Sequence, residues 1–281
     1  MVAADVITEN DTIDGPHGPI PVRRYSPPDA TPSISAMPIV WVHGGAFVSG
    51  DLDQPESHVV ALELAKAGFP VVTVDYRLAK FSPFRGRGVV GTASSSVHFP
   101  VPVDDVLAVV NEVQRDAPSG IILGGASAGA CLSASVVLRL AERGAEPPRG
   151  LFLVYGTFHA TLPKRPRELV MRIGGRRRWL HTPRFIGLLN LYYAGSRAAL
   201  RDPFAFPGGH PLHGFPRTLL VDADLDAMRA SGSQFARELS AHNVAVDYRV
   251  VSGTTHAFMN RPKDPGFDVG IHTIVEWARR I

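Results

Sequence analysis

Cysteine is almost missing from this chain. The single one, Cys131, rules out an intramolecular disulfide and fits a reducing, cytoplasmic setting. Long hydrophobic runs are missing as well. No window approaches the roughly 18 uninterrupted apolar residues of a membrane-crossing helix. The opening MVAADVITENDT has neither a basic start nor a continuous apolar stretch, so it does not read as a secretory signal. An excess of one charge is also lacking. The net charge is +3 over 281 residues, and the pI near 9.2 reflects small imbalances, not a nucleic-acid-binding surface. Neither nucleic acid nor membrane is therefore an expected partner. There is no repeat, no metal-ligand cluster and no phosphate-binding glycine loop, so neither metal nor cofactor is expected.

The composition, 45% hydrophobic and 20% charged, is that of a soluble globular protein, and the length suits one large α/β domain spanning 1–281. Two extended segments, Val6–Ile13 and Pro19–Tyr25, flank the turn Gly15-Pro16-His17-Gly18 and predict a hairpin. Short apolar runs at Pro38–His43, Pro70–Asp75, Gly120–Gly125, Gly150–Tyr155, Arg217–Val221 and Ala245–Val251 predict buried strands. Helical patterns follow over Pro55–Ala67, Val103–Asp116, Ala128–Arg143, Ala227–His242 and Phe267–Arg280. This alternation predicts a mostly parallel, doubly wound sheet flanked by helices. Residues 160–199 interrupt it with a basic, helical stretch, read as a small inserted lid. The Gly-, Ser- and Arg-rich stretch Lys80–Val97 reads as a loop.

Three motifs carry chemistry. Gly125-Ala126-Ser127-Ala128-Gly129 is a Gly-x-Ser-x-Gly between a predicted strand and a predicted helix. That is the context of a nucleophile elbow, whose tight turn projects the Ser127 hydroxyl above the sheet. His43-Gly44-Gly45-Ala46-Phe47 follows a different strand. Its glycines would let backbone amides approach the negative oxygen of a tetrahedral intermediate. The expected donors are the amides of Gly45, Ala46 and Ala128. His43 reads as a structural hydrogen-bonder, and Cys131 as core. His256, after the last predicted strand, is the expected base. His98, His159, His181, His210 and His213 read as surface or substrate-facing groups. Asp222, Asp224 and Asp226 compete for the acid, and Asp226 is favoured, with the other two as loop or capping residues.

These stretches, VHGGAF (42–47), VDYRLA (74–79), GGASAG (124–129), DAMRASG (226–232) and GTTHAF (253–258), occur in the order found in a known family. The chain resembles the hormone-sensitive-lipase-like (family IV) esterases of the α/β-hydrolase superfamily. The resemblance implies an α/β-hydrolase fold and cofactor-free hydrolysis of small to medium acyl esters. Members of that family commonly dimerise through the C-terminal helix and the neighbouring strand, so the resemblance allows a homodimer, and it supports Asp226, which matches the acid of the family's Asp-Pro-Leu. Departures are Ala46 for the last glycine of His-Gly-Gly-Gly, Ala126 for an acidic residue, and an N-terminal cap that is nearly absent.

Lys164, Arg165, Arg167, Arg172, Arg176, Arg177 and Arg178 crowd one segment of the lid. They suggest attraction of an anionic substrate or an acidic acyl carrier protein. Alternative chemistries at the same site are amide deacylation, lactone opening, thioester cleavage and acyl transfer. A non-catalytic small-molecule receptor would lack a triad member, yet Ser127, Asp226 and His256 are all present.

Overall fold

A computed structural model of the chain describes residues 5–28, 37–79, 97–173 and 182–281. Most of the expected loop at 80–97 lies outside the described residues, as do Arg176, Arg177, Arg178, Trp179 and His181.

The expected hairpin is β1 (Ile7–Gly15) and β2 (Gly18–Ser26), paired antiparallel from Ile7 opposite Ser26 to Gly15 opposite Gly18. The buried runs become β3 (Ile39–Val42), β4 (Val71–Val74), β5 (Ile122–Ala126), β6 (Gly150–Val154), β7 (Arg217–Ala223) and β8 (Val246–Val251). Among the described residues these form one sheet of eight strands, in the order β1-β2-β4-β3-β5-β6-β7-β8. β2 runs antiparallel to both neighbours, and β4 through β8 run parallel. The helices are α1 (Pro55–Lys66), α2 (Val101–Arg115), α3 (Ala128–Glu142), α4 (Arg167–Arg172), α5 (Pro183–Ala194), α6 (Arg229–Ala241) and α7 (Pro265–Ala278).

Strand residues alternate between two cores because successive side chains point to opposite faces. Val40, Val42, Leu123 and Leu153 pack with α2, α3 and α6 on one face. Ile39, Trp41, Ile122 and Phe152 pack with α1 and α7 on the other, where Trp41 stacks on Phe152 at 5.4 Å. Both faces are covered, which is why the central strands read as unbroken apolar runs.

The connection from β6 to β7 carries α4 and α5. α4 leans on the loop after β7: Leu169 and Ile173 pack with Ala227, and Arg172 Nη2 meets Asp224 Oδ2 at 2.5 Å. No helix among the described residues is long and apolar enough to cross a membrane.

Candidate active site

β5 enters α3 through Ser127, which adopts φ 51° and ψ −114°. A non-glycine residue holds such a backbone only when its surroundings impose it, at a cost of about 1–3 kcal/mol. Here the surroundings do. The Ser127 amide donates to the Val154 carbonyl of β6 at 2.9 Å. A Cβ on Gly125 would lie 2.3 Å from the Gly129 carbonyl oxygen, and one on Gly129 would lie 2.1 Å from that of Val42. Only glycine permits this crossing of strand and helix, and the crossing lifts the serine out of the sheet.

The turn brings together residues far apart in the chain. Ser127 Oγ lies 3.0 Å from His256 Nε2, and His256 Nδ1 lies 2.6 Å from Asp226 Oδ2. The other Asp226 oxygen accepts the Met228 amide at 3.0 Å. The Asp226 carboxylate is fully enclosed. Burial alone would lower the His256 pKa, but the Asp226 charge and hydrogen bond outweigh it and hold the imidazole above its ordinary value. If the neutral ring must accept a proton, activity is lost as pH falls through that raised value. The acid limb of kcat/KM is therefore expected above about 6.5, the unperturbed histidine value. A pH–rate profile on a short ester checks this, and a limb below that value would contradict it.

The glycine loop after β3 curls over the same serine. Gly45, Ala46 and Phe47 have φ of 121°, 53° and 66°. A Cβ on Gly45 would sit 1.8 Å from the Ser49 carbonyl oxygen. Ala46 carries a methyl group in a backbone region that favours glycine, so it keeps its amide at some strain. Among the described residues, no protein group accepts from the amides of Gly45, Ala46 or Ala128.

Glu56, at the start of α1, was not singled out from the sequence. It is 1% exposed beneath this loop. Its Oε1 accepts the Gly44 amide at 2.6 Å, and its Oε2 accepts the Tyr155 hydroxyl. The Glu56 amide donates to Asn260 Oδ1 at 3.0 Å, and its carbonyl accepts from Trp41 Nε1 at 2.7 Å. Burial pushes the Glu56 carboxyl above its usual range. Its charge also helps to raise His256. Loss of one oxyanion donor typically costs about 10²–10³ in kcat. Glu56→Ala, which frees the loop that carries two candidate donors, is expected to lower kcat by about 10². Glu56→Gln keeps an acceptor and should recover most of that loss, with the acid limb moved to lower pH. An unmoved limb would show that Glu56 serves packing alone.

Two other expectations change, at His159 and Asp222. His159 is neither surface nor substrate-facing: it is buried, with Nδ1 2.8 Å from Ser231 Oγ and Nε2 3.3 Å from Glu238. Asp222 belongs to β7 and is no loop or capping residue; it accepts the Tyr248 hydroxyl at 2.8 Å, and burial pushes its pKa up to about 8. Asp224 pairs with Arg172 and Arg229 and accepts the Gly253 amide at 3.0 Å. His98 is half-buried against the Tyr192 carbonyl at 2.8 Å. His43 is buried, donates from Nδ1 to the Gly44 carbonyl at 2.7 Å, and is brought down to about 4 by burial. Cys131 is buried, with its thiol pushed up by burial.

A pocket of about 350 Å³ opens above Ser127 and His256, walled mainly by Phe47, Val48, Phe185, Ile186, Leu189 and Met228.

Strand order, elbow and pocket together define an α/β hydrolase. A family model described as alpha/beta hydrolase fold matches residues 92–260, and a second, BD-FAE, matches 25–146. The chain is 31% identical over 268 residues to the carboxylic ester hydrolase LipN of Mycobacterium tuberculosis, a match covering 89% of this chain and 63% of LipN. The chain thus spans less than two thirds of that relative's length. It is 28% identical over 250 residues to an ethyl acetate hydrolase of Pseudomonas putida, covering 85% of this chain and 71% of that protein. A hyperthermophilic esterase from Pyrobaculum calidifontis superposes with a TM-score of 0.80 at 26% identity, over 98% of this chain and 85% of that one. The chain belongs to the α/β-hydrolase fold family.

Proposed function

We propose that this protein is a serine carboxylesterase acting through an acyl-enzyme, with Ser127 as nucleophile, His256 as base and Asp226 as the acid that orients it. One observation carries the reading: the Ser127 hydroxyl and the His256 imidazole, 3.0 Å apart, line one pocket, and the enclosed Asp226 carboxylate lies 2.6 Å behind the imidazole. Ser127 Oγ attacks the ester carbonyl while His256 Nε2 takes its proton. The amides of Gly45, Ala46 and Ala128 receive the developing oxyanion. The same proton then passes to the departing alcohol, and water repeats the sequence on the acyl-enzyme.

α5 acts as part of a cap, since its Phe185, Ile186 and Leu189 line the pocket beside the oxyanion loop, where Tyr193 stacks on Phe47 at 3.8 Å. A pocket of this size and lining suits small to medium acyl groups. The test is turnover of short p-nitrophenyl esters, with mass spectrometry of the quenched enzyme. An acyl adduct on the Ser127 peptide is expected. Absence of turnover on every short ester tried would reject the reading.

The basic residues of 160–199 favour an anionic substrate or an acidic acyl carrier protein, with thioester cleavage or acyl transfer as the reaction. Reversing the charge of Arg176, Arg177 and Arg178 should then raise KM for an anionic ester by about tenfold at low salt and flatten its salt dependence. Unchanged kinetics would confine those residues to solvation.

A further inference from the structure

Besides Ser127, His256, Ser49, Glu56 and Asn260, the pocket is lined by two polar residues, one on the chain leaving β6 and one on α5. Thr157, just beyond β6, is 4% exposed and lines the pocket. Its hydroxyl has no hydrogen-bond partner among the described residues. Asn190, on α5, is 2% exposed and lines the same pocket. Its Nδ2 donates to the carbonyls of His159 at 3.2 Å and Ala160 at 3.0 Å. Two carbonyls facing one end of the amide fix its orientation, because the flipped amide would set oxygen against oxygen. Oδ1 is thereby left as an acceptor. Both polar groups belong to one wall, since Asn190 is anchored on the segment that carries Thr157.

Native proteins seldom leave a buried hydroxyl unpaired, and such groups call for an account. Packing does not supply one, because valine has the same shape and needs no partner. Resting on the esterase reading above, we infer that the substrate brings a hydroxyl to this wall. Esters of hydroxylated acids or of polyols, not plain hydrocarbon esters, are the class the pocket takes. A substrate hydroxyl is complementary here because it both donates, as Asn190 Oδ1 requires, and accepts, as the Thr157 O–H requires.

Two pairs of esters separate the acyl and alcohol sources of that hydroxyl. One is p-nitrophenyl butyrate against p-nitrophenyl β-hydroxybutyrate. The other is propyl butyrate against ethylene glycol monobutyrate. In one pair, wild type should favour the hydroxylated ester in kcat/KM by about tenfold, the upper range for one neutral hydrogen bond. Thr157→Val should bring that ratio near one, and Thr157→Ser should restore it. Ratios near one for wild type in both pairs would overturn the inference. So would a preference that survives in Thr157→Val. Calorimetric binding of the same esters to Ser127→Ala reads the wall without chemistry. Equal affinities there would overturn the inference, whereas a preference in binding with no turnover of any of these esters by wild type would reject the esterase reading alone.

Discussion

Ser127→Ala is expected to lower kcat on short esters by about a millionfold, the loss typical of removing such a nucleophile, while leaving the fold intact. The elbow does not rest on the hydroxyl. The Ser127 amide still reaches the Val154 carbonyl, and Gly125 and Gly129 still permit the crossing. Alanine at φ 51° meets the same backbone strain as serine, so thermal stability should change little. A small residual rate should remain, because oxyanion donors and binding work without a nucleophile. Steady-state assays after active-site titration would measure the loss. A variant within tenfold of wild type would move the chemistry elsewhere. Cys131 could not take it over, being buried with its thiol pushed up.

The fold was legible wherever one signal decided it. Apolar runs between glycines marked the strands, because a sheet covered on both faces needs side chains that avoid water in both directions. The Gly-x-Ser-x-Gly turn was legible because its glycines are demanded by contacts of 2.3 Å and less. Helix starts were less so. α2 begins at Val101, ahead of the predicted Val103, since Pro102 in the first turn gives up no needed amide. α6 begins at Arg229 and not Ala227, because Asp226 takes the Met228 amide and holds those residues in a turn.

Burial of polar groups was not legible at all. Glu56, in the first turn of α1, looks in the sequence like any acid placed against the helix dipole. Its partner Tyr155 lies 99 residues away. His159 and Asp222 were misjudged for the same reason. Their partners Ser231 and Tyr248 lie on α6 and β8, and nothing in the local pattern points to them.

Asp222 in β7 and Asp224 and Asp226 just after it lie within five residues of one another, and mutation should separate them sharply. Asp226→Asn is expected to lower kcat by about 10⁴. The reason is the direction of one proton. The Met228 amide donates to Asp226 Oδ1, so an asparagine would keep its oxygen there and turn its NH₂ toward His256 Nδ1. The imidazole would then carry its proton on Nε2, facing Ser127, and could not accept another. Loss of the charge that chiefly raises His256 should also move the acid limb to lower pH. Asp222→Asn should cost far less, because burial pushes that carboxyl up to about 8 and it is already largely protonated at neutral pH. Asp224→Asn should weaken the seating of α4 and Arg229, lowering stability more than kcat. Measured kcat values for the three asparagine variants at one pH give the ranking directly. A larger loss at residue 222 or 224 than at 226 would reassign the acid.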